Sequence, residues 1–147
     1  MADIKIRLAS IQEIDWINKK YDEIGFLHPE FGHEKIAIAE MENQKVGLVR
    51  MVSLDKKNLE LAGIYVFEPF RKRGVGKKII EFLMDFREEN QNVYCIPFSK
   101  LTGFYECFGF AICKPNKQIP KAILDKCKWC EKSHQALVEV LVLHGKD

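Results

Sequence analysis

Leu59-Glu60-Leu61-Ala62-Gly63-Ile64-Tyr65-Val66-Phe67 is an apolar run of strand character that breaks at Glu68-Pro69-Phe70. It is followed by Arg71-Lys72-Arg73-Gly74-Val75-Gly76 and then by a segment of helical period. Strand, basic glycine-rich turn and helix start together make an anion cradle. Unpaired backbone N–H groups at a helix start attract phosphate oxygens, and the helix dipole adds to the attraction. Gly74 and Gly76 let the backbone approach closely and take positive φ where required. The turn lacks the third glycine of a dinucleotide fingerprint and the glycine spacing of a P-loop. Phosphate binding is the expectation, with no chemistry attached to it. Taken alone, a basic turn with two glycines is also compatible with an ordinary solvated connection.

Downstream, after Val93-Tyr94-Cys95-Ile96-Pro97, comes Phe104-Tyr105-Glu106-Cys107-Phe108-Gly109-Phe110. The first segment resembles the acyl-CoA-binding motif of the GNAT superfamily of N-acetyltransferases, Arg/Gln-x-x-Gly-x-Gly/Ala, through Arg71, Gly74 and Gly76. The second resembles that superfamily's Phe-Tyr-x-x-x-Gly-Phe signature. Order and spacing agree as well as composition, and the resemblance covers nearly the whole chain. It is closest to small, poorly characterised bacterial-type members that carry a Tyr-Cys-Ile-Pro-Phe element and a late Lys-x-x-Trp-Cys element. Here these are Tyr94 to Phe98 and Lys126 to Cys130.

A chain of 147 residues without an obvious linker is expected to form one domain, 1–147. A formal charge of +2 is too modest for a nucleic-acid platform, and aromatic residues do not alternate through the basic patch Arg71 to Lys78. The N-terminus alternates charge and apolarity, so no signal peptide is expected. No apolar segment approaches membrane-spanning length, and a cytoplasmic protein is the expectation. Five cysteines form no even framework and read as reduced thiols filling core space. Cys127-x-x-Cys130 followed by His134 offers three soft metal ligands. A fourth is not evident, and helical placement suits a closed tetrahedral site poorly, so no metal is expected.

The order of elements is α+β. Ile4, Ile6 and Leu8 alternate as a half-buried strand. Ser10 and Glu13 read as a capping box, before a helix whose apolar face is Ile11, Ile14, Ile17, Tyr21 and Ile24. Lys35 to Met41 and Val46 to Ser53 read as a hairpin, and Leu59 to Phe67 continues the meander. A helix from Val75 toward Arg87 presents Val75, Ile79, Leu83 and Phe86, and Val93 to Ile96 follows as a crossover strand. Ser99 is a cap candidate for a helix carrying Leu101, Phe104, Tyr105 and Phe108. Phe110 to Cys113 is a short strand, Pro120 opens a last helix, and Leu137 to Leu143 closes the sheet. This order is similar to the GNAT fold, whose mixed central sheet, flanked by helices, splays near the middle for acyl-CoA binding.

The resemblance implies an acetyl-CoA-dependent N-acetyltransferase acting by direct attack of a primary amine on the thioester. Pantetheine is then expected along Tyr65 and Val66, and pyrophosphate on the amides of Arg73, Gly74, Val75, Gly76 and Lys77, with added charge from Arg71 and Lys72. Tyr105 matches the family's general-acid tyrosine. On periodicity alone it also reads as a core residue with a satisfied hydroxyl. Glu60, eleven residues before Arg71, matches the glutamate used as general base in the histone-acetylating branch. It reads equally as a solvent-facing strand residue. His28, Glu30, His33 and Glu34 lie in the segment that borders the acceptor site in the family, and Arg50 offers a further polar contact. Many relatives carry an asparagine seven residues before the motif tyrosine. Phe98 stands there instead, suited to packing against the cofactor arm or the acceptor. A C2 homodimer is also implied, without a seam. A noncatalytic acyl-CoA sensor or binding module, and a thiol or metal protein centred on Cys127 and Cys130, are the competing classes.

Overall fold

The computed structural model describes residues 3–114, 118–135 and 137–146. Its strands are β1 (Lys5–Leu8), β2 (Glu34–Met41), β3 (Gln44–Ser53), β4 (Asn58–Val66), β5 (Asn92–Cys95), β6 (Ala111–Ile112) and β7 (Leu141–Leu143). Its helices are α1 (Ile14–Ile24), α2 (Val75–Met84), α3 (Thr102–Glu106) and α4 (Lys121–His134). The strands make one mixed sheet in the order β1-β2-β3-β4-β5-β7-β6, the α+β architecture expected from the chain order. The β4–β5 ladder is parallel, as a crossover through α2 requires, and it covers the first three of the nine residues of β4, Asn58 to Glu60 against Asn92 to Tyr94.

The chain divides into two compact units, 1–52 with 61–87, and 53–60 with 88–147. In the first, β2 and β3 are joined at Glu42 and Asn43, both at positive φ as a tight hairpin turn demands. Their apolar alternates pack with α1 in a cluster built on Ile17, Tyr21, Ile36 and Leu48. Tyr21 is fully buried, and its hydroxyl donates to the Gly63 carbonyl at 2.7 Å, so the ring's polar end is satisfied. Gly63 sits at φ +61°, and a Cβ there would stand 2.7 Å from the Tyr21 oxygen. The residue must be glycine for both reasons.

In the second unit, Tyr94 of β5 and Val142 of β7 pack with Ile119, Ile123 and Val140. Helix α4, inserted between β6 and β7, supplies Ile123, with Leu124 and Cys127 packed beside it.

Four expectations need correction. Ile11 is 60% exposed because Ile11–Glu13 form a separate 3-10 turn ahead of α1, which rotates its side chain off the core face. The expected Ser10–Glu13 capping box does form, with Glu13 reaching back to the Ser10 N–H at 3.0 Å. Helix α2 ends at Met84, so Phe86 is 42% exposed, its ring 5.4 Å from Phe82 and under the Lys35 ammonium. Ser99 lies inside a 3-10 turn whose cap position is Phe98, and makes no side-chain cap. Leu101 and Phe104 are exposed, leaving Tyr105 as the buried member of α3.

Candidate functional site

The cradle lies in the first unit and follows from local chain chemistry. Pro69 lies within a 3-10 turn, Glu68–Phe70, that ends β4, and the chain then turns through Lys72 at φ +64° and Gly74 at φ +84°. Gly74 is the residue preceding α2, and no side chain caps that end. Lys78 is the first residue whose N–H reaches the Gly74 carbonyl, at 3.2 Å, so the amides of Val75, Gly76 and Lys77 are the free donors of the first turn. Val75 anchors the turn by complete burial, whereas Arg71 to Gly74 and Lys77 are exposed. A Cβ built on Gly74 meets nothing within 4 Å, so the cradle is open at that point. Gly76 takes helical rather than positive φ.

The basic side chains differ in their availability. Arg71 Nε donates to the Val66 carbonyl at 2.8 Å, which folds this guanidinium back along β4. Arg73 lies over the Phe70 ring at 5.6 Å. Tyr65 and Val66 are half-buried, with the Tyr65 ring edge-on to Phe67.

The acceptor-site candidates of the same unit are largely committed to one another. Arg50 Nε and Nη2 donate to the two oxygens of Glu34 at 2.6 and 2.7 Å, and Nη1 donates to the Leu27 carbonyl at 3.2 Å. The Glu30 N–H donates to Glu34 at 2.8 Å. Arg50 and Glu34 are thus a buried, bidentate pair. His28 Nε2 lies 2.6 Å from Asp22 Oδ1, and His33 closes an exposed 3-10 turn.

The catalytic candidates lie in the second unit. Glu60 is 5% exposed and pairs across the parallel ladder with Tyr94. Its carboxylate is held by Lys126 of α4, Nζ to Oε2 at 2.5 Å, and no described residue hydrogen-bonds its other oxygen. The solvent-facing reading of Glu60 is therefore excluded. Lys126 was visible in the sequence only as the first residue of the Lys-x-x-Trp-Cys element. Tyr105 is 5% exposed; burial, with a smaller effect of Cys95, pushes its phenol well above the ordinary value and keeps it protonated at neutral pH. Burial also raises the Cys95 and Cys130 thiols, and Cys127 is pushed up to about 11 by burial and its hydrogen bond to Glu131. These are poor nucleophiles. No cluster of three metal-binding side chains occurs among the described residues.

Phe98 bridges to Val138 and meets the His134 ring at 5.5 Å. With Ser99, Lys100, His134 and Leu137 it lines a cavity of about 450 Å³, a size that suits a small molecule. Of these five, the sequence reading gave a cofactor or acceptor role to Phe98 alone. Among described residues no helix is long and apolar enough to cross a membrane.

No curated protein matches the chain by sequence. Among solved structures, N-acetylglutamate synthase from Neisseria gonorrhoeae, complexed with coenzyme A and N-acetyl-glutamate, is 16% identical with a TM-score of 0.71. It aligns with all of this chain, which spans 36% of the synthase chain. Arabidopsis thaliana Naa50, in complex with the bisubstrate analogue CoA-Ac-MVNAL, is 13% identical with a TM-score of 0.70, covering 95% of this chain and 97% of its own. A GNAT family acetyltransferase from Elizabethkingia anophelis with acetyl-CoA bound is 14% identical with a TM-score of 0.65, covering 96% and 97%. At such identities these likenesses establish the fold. The family model for the acetyltransferase (GNAT) domain matches residues 32–112, more than half of the chain and inclusive of the cradle, Glu60 and Tyr105. The chain belongs to the GNAT acetyltransferase family.

Proposed function

We propose that the chain, as one domain spanning 1–147, is an acetyl-CoA-dependent N-acetyltransferase that moves an acetyl group to a primary amine. The observation that carries this reading is the uncapped start of α2: a left-handed Gly74, an open approach above it and free amides at Val75, Gly76 and Lys77. These groups suit the pyrophosphate, with Lys72, Arg73 and Lys77 adding charge. The β4–β5 ladder covers β4 only through Glu60, which supports assigning the backbone near Tyr65 and Val66 to pantetheine. Arg71 must then release the Val66 carbonyl if that group is used. Phe98 is assigned to the cofactor arm or the acceptor's apolar portion. His28, Glu30 and His33 remain acceptor-side candidates, while Glu34 and Arg50 support that segment through their mutual pair.

In the transfer step the amine nitrogen attacks the thioester carbonyl, its proton passes to Glu60, the C–S bond breaks, and the departing thiolate takes the Tyr105 proton. Burial keeps the Tyr105 phenol protonated, as an acid role requires, while making it a weaker donor than an exposed tyrosine; the assignment rests on its position in the family motif. The coenzyme A complex of the synthase and the acetyl-CoA complex of the Elizabethkingia protein support the cosubstrate, and the Naa50 bisubstrate complex supports an amine acceptor. The competing reading is a noncatalytic acyl-CoA binding module. The Lys126–Glu60 ion pair favours it, since a carboxylate already holding an ammonium is a poor resting-state base.

Calorimetric titration of CoA into folded wild type and Gly74→Val tests the cradle. A branched side chain at φ +84° both strains the turn and fills the open approach, so affinity is expected to fall about tenfold or more. Undiminished affinity overturns the site. An amine panel, with free CoA and acetylated product both followed, then separates enzyme from binding module: CoA binding with no acetylated product selects the module.

A further inference from the structure

Of the ionisable groups outside the cradle, Lys126 has the placement least explained by folding alone. The Glu60 side chain is shielded about as fully as those of the Arg50–Glu34 pair. A carboxylate withdrawn from water is strongly destabilising unless a cation accompanies it, and an apolar pair of similar volume would serve stability as well or better. The cation that accompanies Glu60 is a primary ammonium on an unbranched four-carbon stem, delivered from a helix 66 positions along the chain. The contact uses one carboxylate oxygen. Lysine makes a single-point contact on a flexible stem, unlike the two-point fork of an arginine. The Lys126 side chain is 20% exposed against 6% for Glu60, so the ammonium can withdraw toward solvent while the carboxylate stays fixed in β4. Cys95 and Cys130 also lie near Glu60, and burial raises both thiols, so neither places a second negative charge beside the carboxylate.

We infer that the Glu60 carboxylate is an alkylammonium subsite, occupied by Lys126 in the free protein and taken over by the acceptor, which displaces Lys126. Whatever replaces Lys126 must bring its own positive charge, so the acceptor class is a primary amine ending an unbranched alkyl stem. Arylamines, neutral at pH 7, and α-amino acids, whose carboxylate would meet Glu60, are disfavoured. The identification as an acceptor rests on the acetyltransferase reading above; the ammonium subsite does not. After exchange the alkylammonium gives one proton to Glu60 and attacks as the neutral amine; as the C–S bond breaks the thiolate takes the Tyr105 proton, and the second proton on nitrogen restores the phenol, leaving amide, CoA thiol and one proton on Glu60.

The test uses n-pentylamine with wild type, Lys126→Met and Lys126→Arg. Methionine keeps an unbranched stem and removes the competing charge. Without acetyl-CoA, calorimetry should show n-pentylammonium binding Lys126→Met at least about tenfold more tightly than wild type, and Glu60→Gln in that background should abolish the gain. With acetyl-CoA, the KM for n-pentylamine should fall in Lys126→Met while kcat changes little. A merely structural lysine would leave KM unmoved or lower kcat with it. If Lys126→Met does not fold, Lys126→Arg decides: a guanidinium that holds both oxygens should raise KM several-fold at similar kcat. A folded Lys126→Met that binds the amine no better than wild type, or an unchanged KM in Lys126→Arg, overturns the inference. Absence of acetylated product from any amine overturns the transferase reading instead and leaves the binding comparison decisive for the subsite.

Discussion

Arg50–Glu34 and Lys126–Glu60 are both shielded ion pairs whose carboxylate lies on a sheet strand, yet they are built to different ends. In the first, both Glu34 oxygens are taken by the Arg50 fork, a backbone N–H adds a third bond, and a further guanidinium nitrogen reaches the Leu27 carbonyl. In the second, one ammonium touches one oxygen, the partner side chain is partly exposed, and the other oxygen has no described donor. Saturation of its hydrogen-bonding capacity makes a buried pair a fastener, because any departure strands a charge. Incomplete saturation with an exposed partner leaves a charge that can change hands. The two pairs therefore separate support from chemistry better than burial alone does.

The largest effect that can break this comparison is on stability. Arg50→Ala should destabilise the fold by about 3–5 kcal/mol, because Glu34 is left buried with its charge uncompensated. Denaturant unfolding reads this directly. A loss below about 1 kcal/mol would remove the distinction drawn here, since the pair would then behave like an exposed one.

The next effect is on rate. Glu60→Gln keeps the side chain's shape and removes proton acceptance, so acetyl transfer to a competent amine should fall about tenfold or more, while stability falls less than in Arg50→Ala. Tyr105→Phe should lower transfer by a similar factor, with CoA affinity largely retained because the buried ring volume is kept. Single-turnover kinetics beside CoA titration distinguishes these outcomes. Unchanged transfer in both variants would return Glu60 and Tyr105 to packing roles.

The two pairs were unequally legible in the sequence. The turn at Glu42-Asn43 and a bulge at Ala39/Glu40, which shifts the β2–β3 register by one residue, together place Glu34 opposite Val52 and diagonal to Arg50; the hairpin is a local signal, the bulge is not. Lys126 meets Glu60 only because α4 packs on a sheet whose last strands pair non-sequentially, and no period or spacing encodes that. The same division explains the fold. The Pro69–Gly74 break and the amphipathic faces of α1 and α2 are local signals and were readable. Ile11 and Phe86 match the helical period but sit just beyond helix ends, where a 3-10 turn or the stop at Met84 takes them off the face. Phe98 was legible as a departure from the family pattern. Its neighbours His134 and Leu137 were not, because the bridge between residues 98 and 138 brings together segments forty positions apart.

The smallest effect extends the comparison to a pair at the surface. Glu13 accepts from Arg7 Nη1 and Nη2 at 2.7 and 2.9 Å, and Lys45 Nζ lies 2.9 Å from it. The Arg7 hydrogen bonds hold its carboxyl well below the usual range of 4.5, with Ser10 and Lys45 adding to that against the opposing effect of desolvation. A carboxyl whose folded value is depressed adds stability that is present above the unfolded value and is lost as pH falls from there toward the folded one. Glu13→Gln should therefore lower stability modestly at pH 7, and its deficit relative to wild type should shrink as pH drops below about 4.5. Because the Arg7 side chain is 41% exposed, solvent screens the network, and the loss at pH 7 should stay nearer 1 kcal/mol than the value for Arg50→Ala. Parallel urea titrations from pH 7 to pH 3 measure both quantities. A deficit that grows on acidification would reverse the sign expected of a depressed carboxyl, and one as large as that of Arg50→Ala would show that hydrogen-bond saturation, rather than burial, sets the strength of these pairs.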